Sequence, residues 1–331
     1  MKRFLFITIS VFLSFISCSH GKNSATGTEI PEIIVPELND SEQDNSSPQD
    51  MDNEGSSVAK TLKIGLFADP QYADVDNRGP RHYRSSLLKL PECIDTFNQE
   101  KVDMVVCLGD IVDRNPDELD VLLPIFAECK SPMYYVLGNH DFSRLKDVDG
   151  HMKKLGMPSL YYSIKKDGWK FIFLNTNELA RYSPMTPEQE KEFNAMHELI
   201  AKEGSPNGEN WNGGLSKSQL DWLKSELSES WRVQEKVVVF GHHPLEPMTN
   251  HTLLNAGEVI ELLTSYPCVK AYLNGHYHPG AYVSVDGLPC ITHEAMLEGG
   301  ERNSYSIMTL EDNRITLKGY GRVGDHVYDI K

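Results

Sequence analysis

Five short stretches of the 331-residue sequence carry side chains able to ligate cations or move protons. They are Asp69-Pro70-Gln71, Gly109-Asp110-Ile111-Val112-Asp113-Arg114, Gly138-Asn139-His140-Asp141, Gly241-His242-His243 and Gly275-His276-Tyr277-His278. Carboxylates, carboxamides and imidazoles are donors that divalent ions take from proteins. Each stretch alone has an ordinary structural reading: Gly-Asp is a turn, Asn-His behind a strand is a cap, and His-x-His is two surface residues. What unites them is position.

Short, nearly all-apolar runs at residues 62–68, 102–108, 133–137, 170–174, 237–240 and 269–273 read as strands buried on both faces. All but the fourth run directly into one of the stretches. The carboxyl ends of strands in an open sheet face one crevice, so donors far apart in sequence converge there. Glycine ahead of four of the five lets backbone approach the crevice closely. Helices separate the strands: Asn115-Pro116-Asp117-Glu118, Thr186-Pro187-Glu188-Gln189 and Ser216-Lys217-Ser218-Gln219 each place a capping residue three positions before Glu or Gln. Pro91 falls inside a helical pattern over residues 82–99 and is expected to kink it. Residues 282–318 alternate between Gly and Asn turns, the pattern of antiparallel strands. The long connection at 177–214, with its own helix at about 187–203, is of a kind that shapes substrate access.

In this order, over residues 61–322, Asp-x-Gln, Gly-Asp-x-x-Asp-Arg, Gly-Asn-His-Asp, Gly-His and Gly-His-x-His resemble the calcineurin-like metallophosphoesterase family. The resemblance implies an α/β fold of two facing mixed sheets flanked by helices, with two divalent ions at the strand ends. Asp69, Gln71, Asp110 and His278 would hold one ion and Asp110, Asn139, His242 and His276 the other, with Asp110 bridging. Such a pair activates water and binds the phosphoryl oxygens of an in-line displacement. His140 would protonate the leaving oxygen, Asp113 would orient its imidazole, and Arg114 would clamp phosphate. Most family members have His where this sequence has Gln71, and an amide oxygen is a harder ligand that favours Mn or Mg over Zn or Fe. Purple acid phosphatases carry Tyr where Asp113 stands, which disfavours an iron–zinc acid phosphatase.

Several further segments are similar to the manganese-dependent ADP-ribose/CDP-alcohol diphosphatases. They are Ala68-Asp69-Pro70-Gln71-Tyr72-Ala73-Asp74, Arg81-His82-Tyr83-Arg84, Asn212-Gly213-Gly214-Leu215-Ser216 and Lys318-Gly319-Tyr320-Gly321-Arg322. That resemblance implies hydrolysis of a pyrophosphate bond to a nucleoside monophosphate and a phosphorylated partner. Arg81 and Arg84, with Tyr83 or Trp211, are the candidates for reading the second phosphate or the base. Two alternatives stand beside this reading: a phosphomonoesterase or cyclic phosphodiesterase with the same metal set, and a surface lipoprotein that binds a ligand without turnover. The complete donor set, together with His140 and Asp113, favours catalysis.

Charge divides the chain. Lys2 and Arg3 precede an apolar run at residues 4–16, the pattern of a signal peptide. Phe15-Ile16-Ser17-Cys18 resembles a bacterial lipobox, implying export and a lipid anchor on Cys18 in the cell envelope. Residues 19–60 carry −7 and read as an acidic disordered tether, and residues 61–331, the metallophosphoesterase domain, carry −11 of the total −16. That acidity excludes nucleic acid as a partner held by bulk field and leaves a small phosphorylated molecule, received through local cations. Outside the cytoplasm, other nucleotide diphosphates or phosphodiesters are as suitable as ADP-ribose. Six cysteines are too few for a disulfide scaffold, and Cys107, inside a buried run, reads as a small hydrophobe.

Overall fold

Apolar runs punctuated by well-marked helix starts build two layers of strands with helices outside them. The structure, a computed structural model, describes residues 61–330, so the leader, lipobox and tether expected at residues 1–60 lie outside the described residues. The chain begins β1 (Leu62–Phe67), α1 (Ser86–Glu100), β2 (Met104–Cys107), α2 (Leu119–Ala127), β3 (Met133–Tyr135) and α3 (Val148–Leu155). It continues β4 (Tyr162–Lys166), β5 (Trp169–Phe173), α4 (Pro187–Glu203), α5 (Lys217–Arg232), β6 (Lys236–Phe240) and α6 (Ala256–Thr264). It closes with β7 (Val269–Asn274), β8 (Ala281–Val285), β9 (Leu288–Thr292), β10 (Ser304–Leu310), β11 (Arg314–Gly321) and β12 (His326–Asp329).

One sheet has the order β12-β11-β10-β1-β2-β3 and the other β4-β5-β6-β7-β9-β8. The β1–β2–β3 and β5–β6–β7–β9 pairings are parallel and the rest antiparallel. This is the expected α/β sandwich of mixed sheets. The period-2 geometry of strands explains why the runs are apolar throughout. Phe171, Phe173, Val238, Phe240 and Leu273 face the first sheet and share a core with Ile64, Leu66, Val105 and Val106. Their neighbours Ile172, Val237, Val239 and Tyr272 face outward onto Leu223 and Leu227 of α5 and Val259 and Leu263 of α6.

Several local expectations are corrected. The helix expected from residue 82 starts later: a 3-10 turn, Tyr83–Ser85, precedes α1, which continues through Pro91. The capping box is complete only at Thr186, whose hydroxyl accepts the Gln189 amide while the Gln189 side chain returns to the Thr186 backbone. Ser216 accepts the Gln219 amide, but the Gln219 carboxamide turns to Asn175 and Glu178. Asn115 accepts from Asp117 and starts a 3-10 turn. Residues 282–318 do form antiparallel hairpins, yet β8–β9 belongs to one sheet and β10–β11 to the other. Cys93, Cys107, Cys129, Cys268 and Cys290 are free thiols. Among the described residues no helix is long and apolar enough to cross a membrane.

Candidate metal centre

The five donor stretches meet at one edge of the sandwich. The Asp69 amide donates to the Gly109 carbonyl at 3.1 Å and the Gln71 amide to that of Asp110 at 2.9 Å, joining the loops after β1 and β2. The Gly275 amide donates to the His242 carbonyl at 3.1 Å, joining those after β6 and β7. The buried Asp141 carboxylate accepts from the amides of Ile111 (2.8 Å), Val112 (3.1 Å) and Gly138 (2.9 Å), locking the loop after β3 to the loop after β2. Asp69, Gln71, Asp110 and His276 all adopt positive φ, at 50°, 40°, 53° and 66°. Each costs about 1 kcal/mol, and strain gathered at one edge marks a functional site. A Cβ on Gly138 would fall on the Asp110 carboxylate, and one on Gly275 on that of Asp69, so these glycines form the floor under both.

Asp110 is the hub. Its Oδ2 lies 2.9 Å from Gln71 Nε2 and 3.4 Å from His242 Nε2, and its Oδ1 accepts the His140 amide at 2.8 Å. Gln71 Nε2 stands 3.1 Å from His278 Nε2, which lies 4.0 Å from Asp69 Oδ1. On the other side His242 Nε2 is 3.2 Å from Asn139 Oδ1, and ligating atoms of Asp110, His242 and His276 all lie within 4.8 Å of one another. The structure thus brings together all seven expected donors, in both expected groups, around Asp110.

These residues fit a pair of divalent ions. Asp69 and Asp110 are fully buried carboxylates, and buried charge requires a compensating partner. Burial pushes Asp69 up to about 6 against the pull of His242 and His278. Burial acts on Asp110 in the same direction, yet the charges of His242 and His140 hold it well below the carboxylate range. His242 donates Nδ1–H to the Leu108 carbonyl at 2.8 Å, which turns its Nε2 to Asn139 Oδ1 at 3.2 Å, two acceptors facing one point as ligands of a cation do. Burial would lower His242, but the Asp110 carboxylate lifts it to about 9. Gln71 Oε1 is buried with no hydrogen-bond partner, and a half-turn of the amide would aim it between Asp110 and His278.

His140 sits beside this cluster. Its Nδ1 donates to the Asp113 carbonyl at 2.8 Å and lies 3.0 Å from the Asp113 carboxylate, contacts that fix the ring. Burial lowers its pKa, but the Asp110 charge and the Asp113 contacts prevail and raise it to about 9, keeping a proton available. Arg114 departs from its expected role as clamp: its Nε is bonded to Asp113 Oδ2 at 3.0 Å, and it does not line the cleft.

The cleft over the donors encloses about 230 Å³, and Arg81, Trp211 and His251 line it together with His140 and four of the donors, Asp110, Asn139, His276 and His278. A larger hollow of about 600 Å³ between α1 and α2 holds none of these groups. Two expected substrate contacts are corrected. Arg84 turns to solvent, its Nε 2.6 Å from Asp74 and its Nη1 2.9 Å from Asp76. Tyr83 is buried against Ala73 and Leu297 as a core residue. Four functional positions were not singled out from sequence: Asp141, His251, Asn212, whose Oδ1 is 3.1 Å from His276 Nε2, and Glu298, which accepts His278 Nδ1 at 2.8 Å. Asp141 and Asn212 carried a local signal, their places in the Gly-Asn-His-Asp stretch and the Asn-Gly-Gly-Leu-Ser segment.

Comparison with known proteins agrees with this geometry. A family model described as calcineurin-like phosphoesterase matches residues 62–280. The chain is 29% identical over 322 residues to the manganese-dependent ADP-ribose/CDP-alcohol diphosphatase of Mus musculus, covering 82% of this chain and 94% of that one. It is 30% identical over 307 residues to the Arabidopsis thaliana protein of the same name, covering 81% and 97%. Among solved structures, a dimetal phosphatase from Danio rerio superposes with a TM-score of 0.73 at 25% identity, covering 82% of this chain and 99% of that one.

Proposed function

The chain belongs to the calcineurin-like phosphoesterase family and is a metal-dependent phosphoesterase, and from that premise we propose that its substrates are nucleoside diphosphate derivatives of the ADP-ribose or CDP-alcohol kind. Hydrolysis of the pyrophosphate bond gives a nucleoside monophosphate and a phosphorylated partner. The observation that carries this reading is Arg81 on the wall of a cleft whose floor is the donor cluster. A monoester has one phosphate for the floor to hold. A diphosphate has a second, which Arg81 would pair with. The names of the relatives support the same reading, and Gln71 supports manganese as the metal.

Asp69, Gln71, Asp110 and His278 would hold one ion and Asp110, Asn139, His242 and His276 the other. When bound, the pair supplies Lewis acidity to the phosphoryl group and a nucleophile at neutral pH. The protein's own part is proton delivery and positioning. His140 gives its proton to the leaving oxygen, held at Nδ1 by Asp113, which Arg114 in turn braces. Trp211 and His251 both line the cleft, their ring centroids 5.9 Å apart, and a nucleobase is a flat partner that aromatic rings can take.

The test is a panel with the purified protein and Mn²⁺: ADP-ribose, CDP-choline, cyclic nucleotides and p-nitrophenyl phosphate. We expect the two diphosphates to have the highest kcat/KM, and Arg81→Ala to raise KM for them about tenfold while leaving p-nitrophenyl phosphate turnover unchanged. Preference for the aryl monoester would point to a phosphomonoesterase, and no turnover of any substrate to a binding protein.

A further inference from the structure

Three imidazoles reach the donor cluster, and each is fixed by a partner on its far nitrogen. His242 uses Nδ1 toward the Leu108 carbonyl and His278 uses Nδ1 toward Glu298, both at 2.8 Å, so each presents Nε2 to the cluster. His276 is the other way round: its Nε2 meets Asn212 Oδ1 at 3.1 Å. The orientation of that carboxamide is decided by its other end. Asn212 Nδ2 donates to the Asn207 carbonyl at 2.8 Å and to the Asn250 carbonyl at 3.0 Å, which engages both of its protons. The atom facing His276 is therefore an acceptor only, and His276 Nε2 has to carry the proton. A neutral imidazole has one proton, so Nδ1 is left with a lone pair.

Resting on the metal-holding reading above, we propose that Asn212 is a positioning residue that fixes the Nε2–H tautomer of His276, so that this histidine alone offers Nδ1 to a divalent cation. The residue is buried and comes from the long connection at 177–214. That segment is pinned at its end by the Leu179–Gly214 backbone pair and by Gly213, where a Cβ would collide with the Thr176 carbonyl. The connection therefore serves the metal centre as well as the cleft. An acceptor that holds the far nitrogen of a ligating histidine is generally worth 10- to 100-fold in metal affinity.

The experiment uses the full chain, with Mn²⁺ as the probe. In the metal-free protein labelled with ¹⁵N histidine, long-range ¹H–¹⁵N correlation is expected to show His276 protonated at Nε2, and protonation at Nδ1 would overturn the proposal. Two variants separate orientation from loop anchoring. Asn212→Leu removes the acceptor and both donors, and is expected to weaken Mn²⁺ binding, measured by titration calorimetry, about 10- to 100-fold. Asn212→Asp removes the donors but keeps an acceptor, and is expected to bind Mn²⁺ within about threefold of wild type while melting as low as Asn212→Leu. Equal loss of affinity in both variants, in step with their melting temperatures, would reduce Asn212 to a loop anchor. If the wild type shows the Nε2–H tautomer but binds no Mn²⁺, the metal reading fails and the tautomer assignment stands.

Discussion

His140 owes its raised pKa to two carboxylates, and they can be separated. Asp113 meets the imidazole and Arg114, whereas Asp110 also belongs to the donor cluster. A general acid works in its protonated form, so the alkaline limb of the kcat profile follows the His140 pKa. Asp113→Asn removes a raising charge and is expected to move that limb to lower pH. His140→Ala is expected to cut kcat about 10²- to 10⁴-fold with KM little changed. An unmoved limb in Asp113→Asn would mean that another group donates the proton. Asp141 makes a second case: Asp141→Ala leaves three buried amides without their acceptor and is expected to lower stability by at least about 3 kcal/mol in denaturant unfolding. The seven donors were readable from sequence because each lies within a few residues of the end of a buried strand. Glu298 was not, being a single polar residue whose partner histidine sits 20 positions away, and Asn212 stood in a quoted segment that gave no sign of a partner histidine 64 positions on. Arg84 and Tyr83 misled because nearness to Arg81 in sequence says nothing about direction on a 3-10 turn.

Helix α3 carries a histidine buried at its packed face, and its behaviour with pH belongs to the element rather than to the metal centre. Burial, with the charge of Lys154 nearby, holds His151 down to about 4. The unfolded chain takes up a proton near the ordinary imidazole value of about 6.5 while the folded one resists it. Stability is therefore lost as pH falls from about 6.5 towards 4. His151→Phe is expected to recover on the order of 2 kcal/mol of that loss, seen as a smaller gap between melting temperatures at pH 7 and pH 5 than in wild type. An identical gap in both proteins would rule it out. Helix α4 was legible to the residue because Thr186, Pro187 and Gln189 write its start in chemical terms. Strand β4 was not: its lysines and half-buried serine give only a weak alternation, and it is held as an edge strand by Tyr162 stacked on Phe173 at 4.5 Å. Nor could the sequence assign the two C-terminal hairpins to different sheets, because local alternation specifies a hairpin but not the distant strand it joins.

Over the whole molecule, the acidity that argued against a nucleic-acid partner is partly the counterpart of cations. Two divalent ions would bring the −11 of residues 61–331 to about −7. A ligand that binds only the folded state stabilises it by mass action, about 2.7 kcal/mol at a hundredfold excess over its dissociation constant. Adding Mn²⁺ to chelator-stripped protein is therefore expected to raise the melting temperature by roughly 5 °C, and a flat response would contradict the donor assignment. Sequence made the layered architecture legible through its buried strands, while the meeting of the two sheets depends on long-range packing that no single run encodes. That meeting has a consequence for the protein's lifetime. Asp69, Gln71, Asp110 and Asn139 follow strands of one sheet, and His242, His276 and His278 follow strands of the other. Each ion would thus clasp both layers, like a rivet at one end of a hinge. Without metal that edge would rest on lesser ties, the His276 amide on the Asp69 carboxylate and the His242 imidazole on the Leu108 carbonyl, so metal supply would set how firmly the two layers are fastened there.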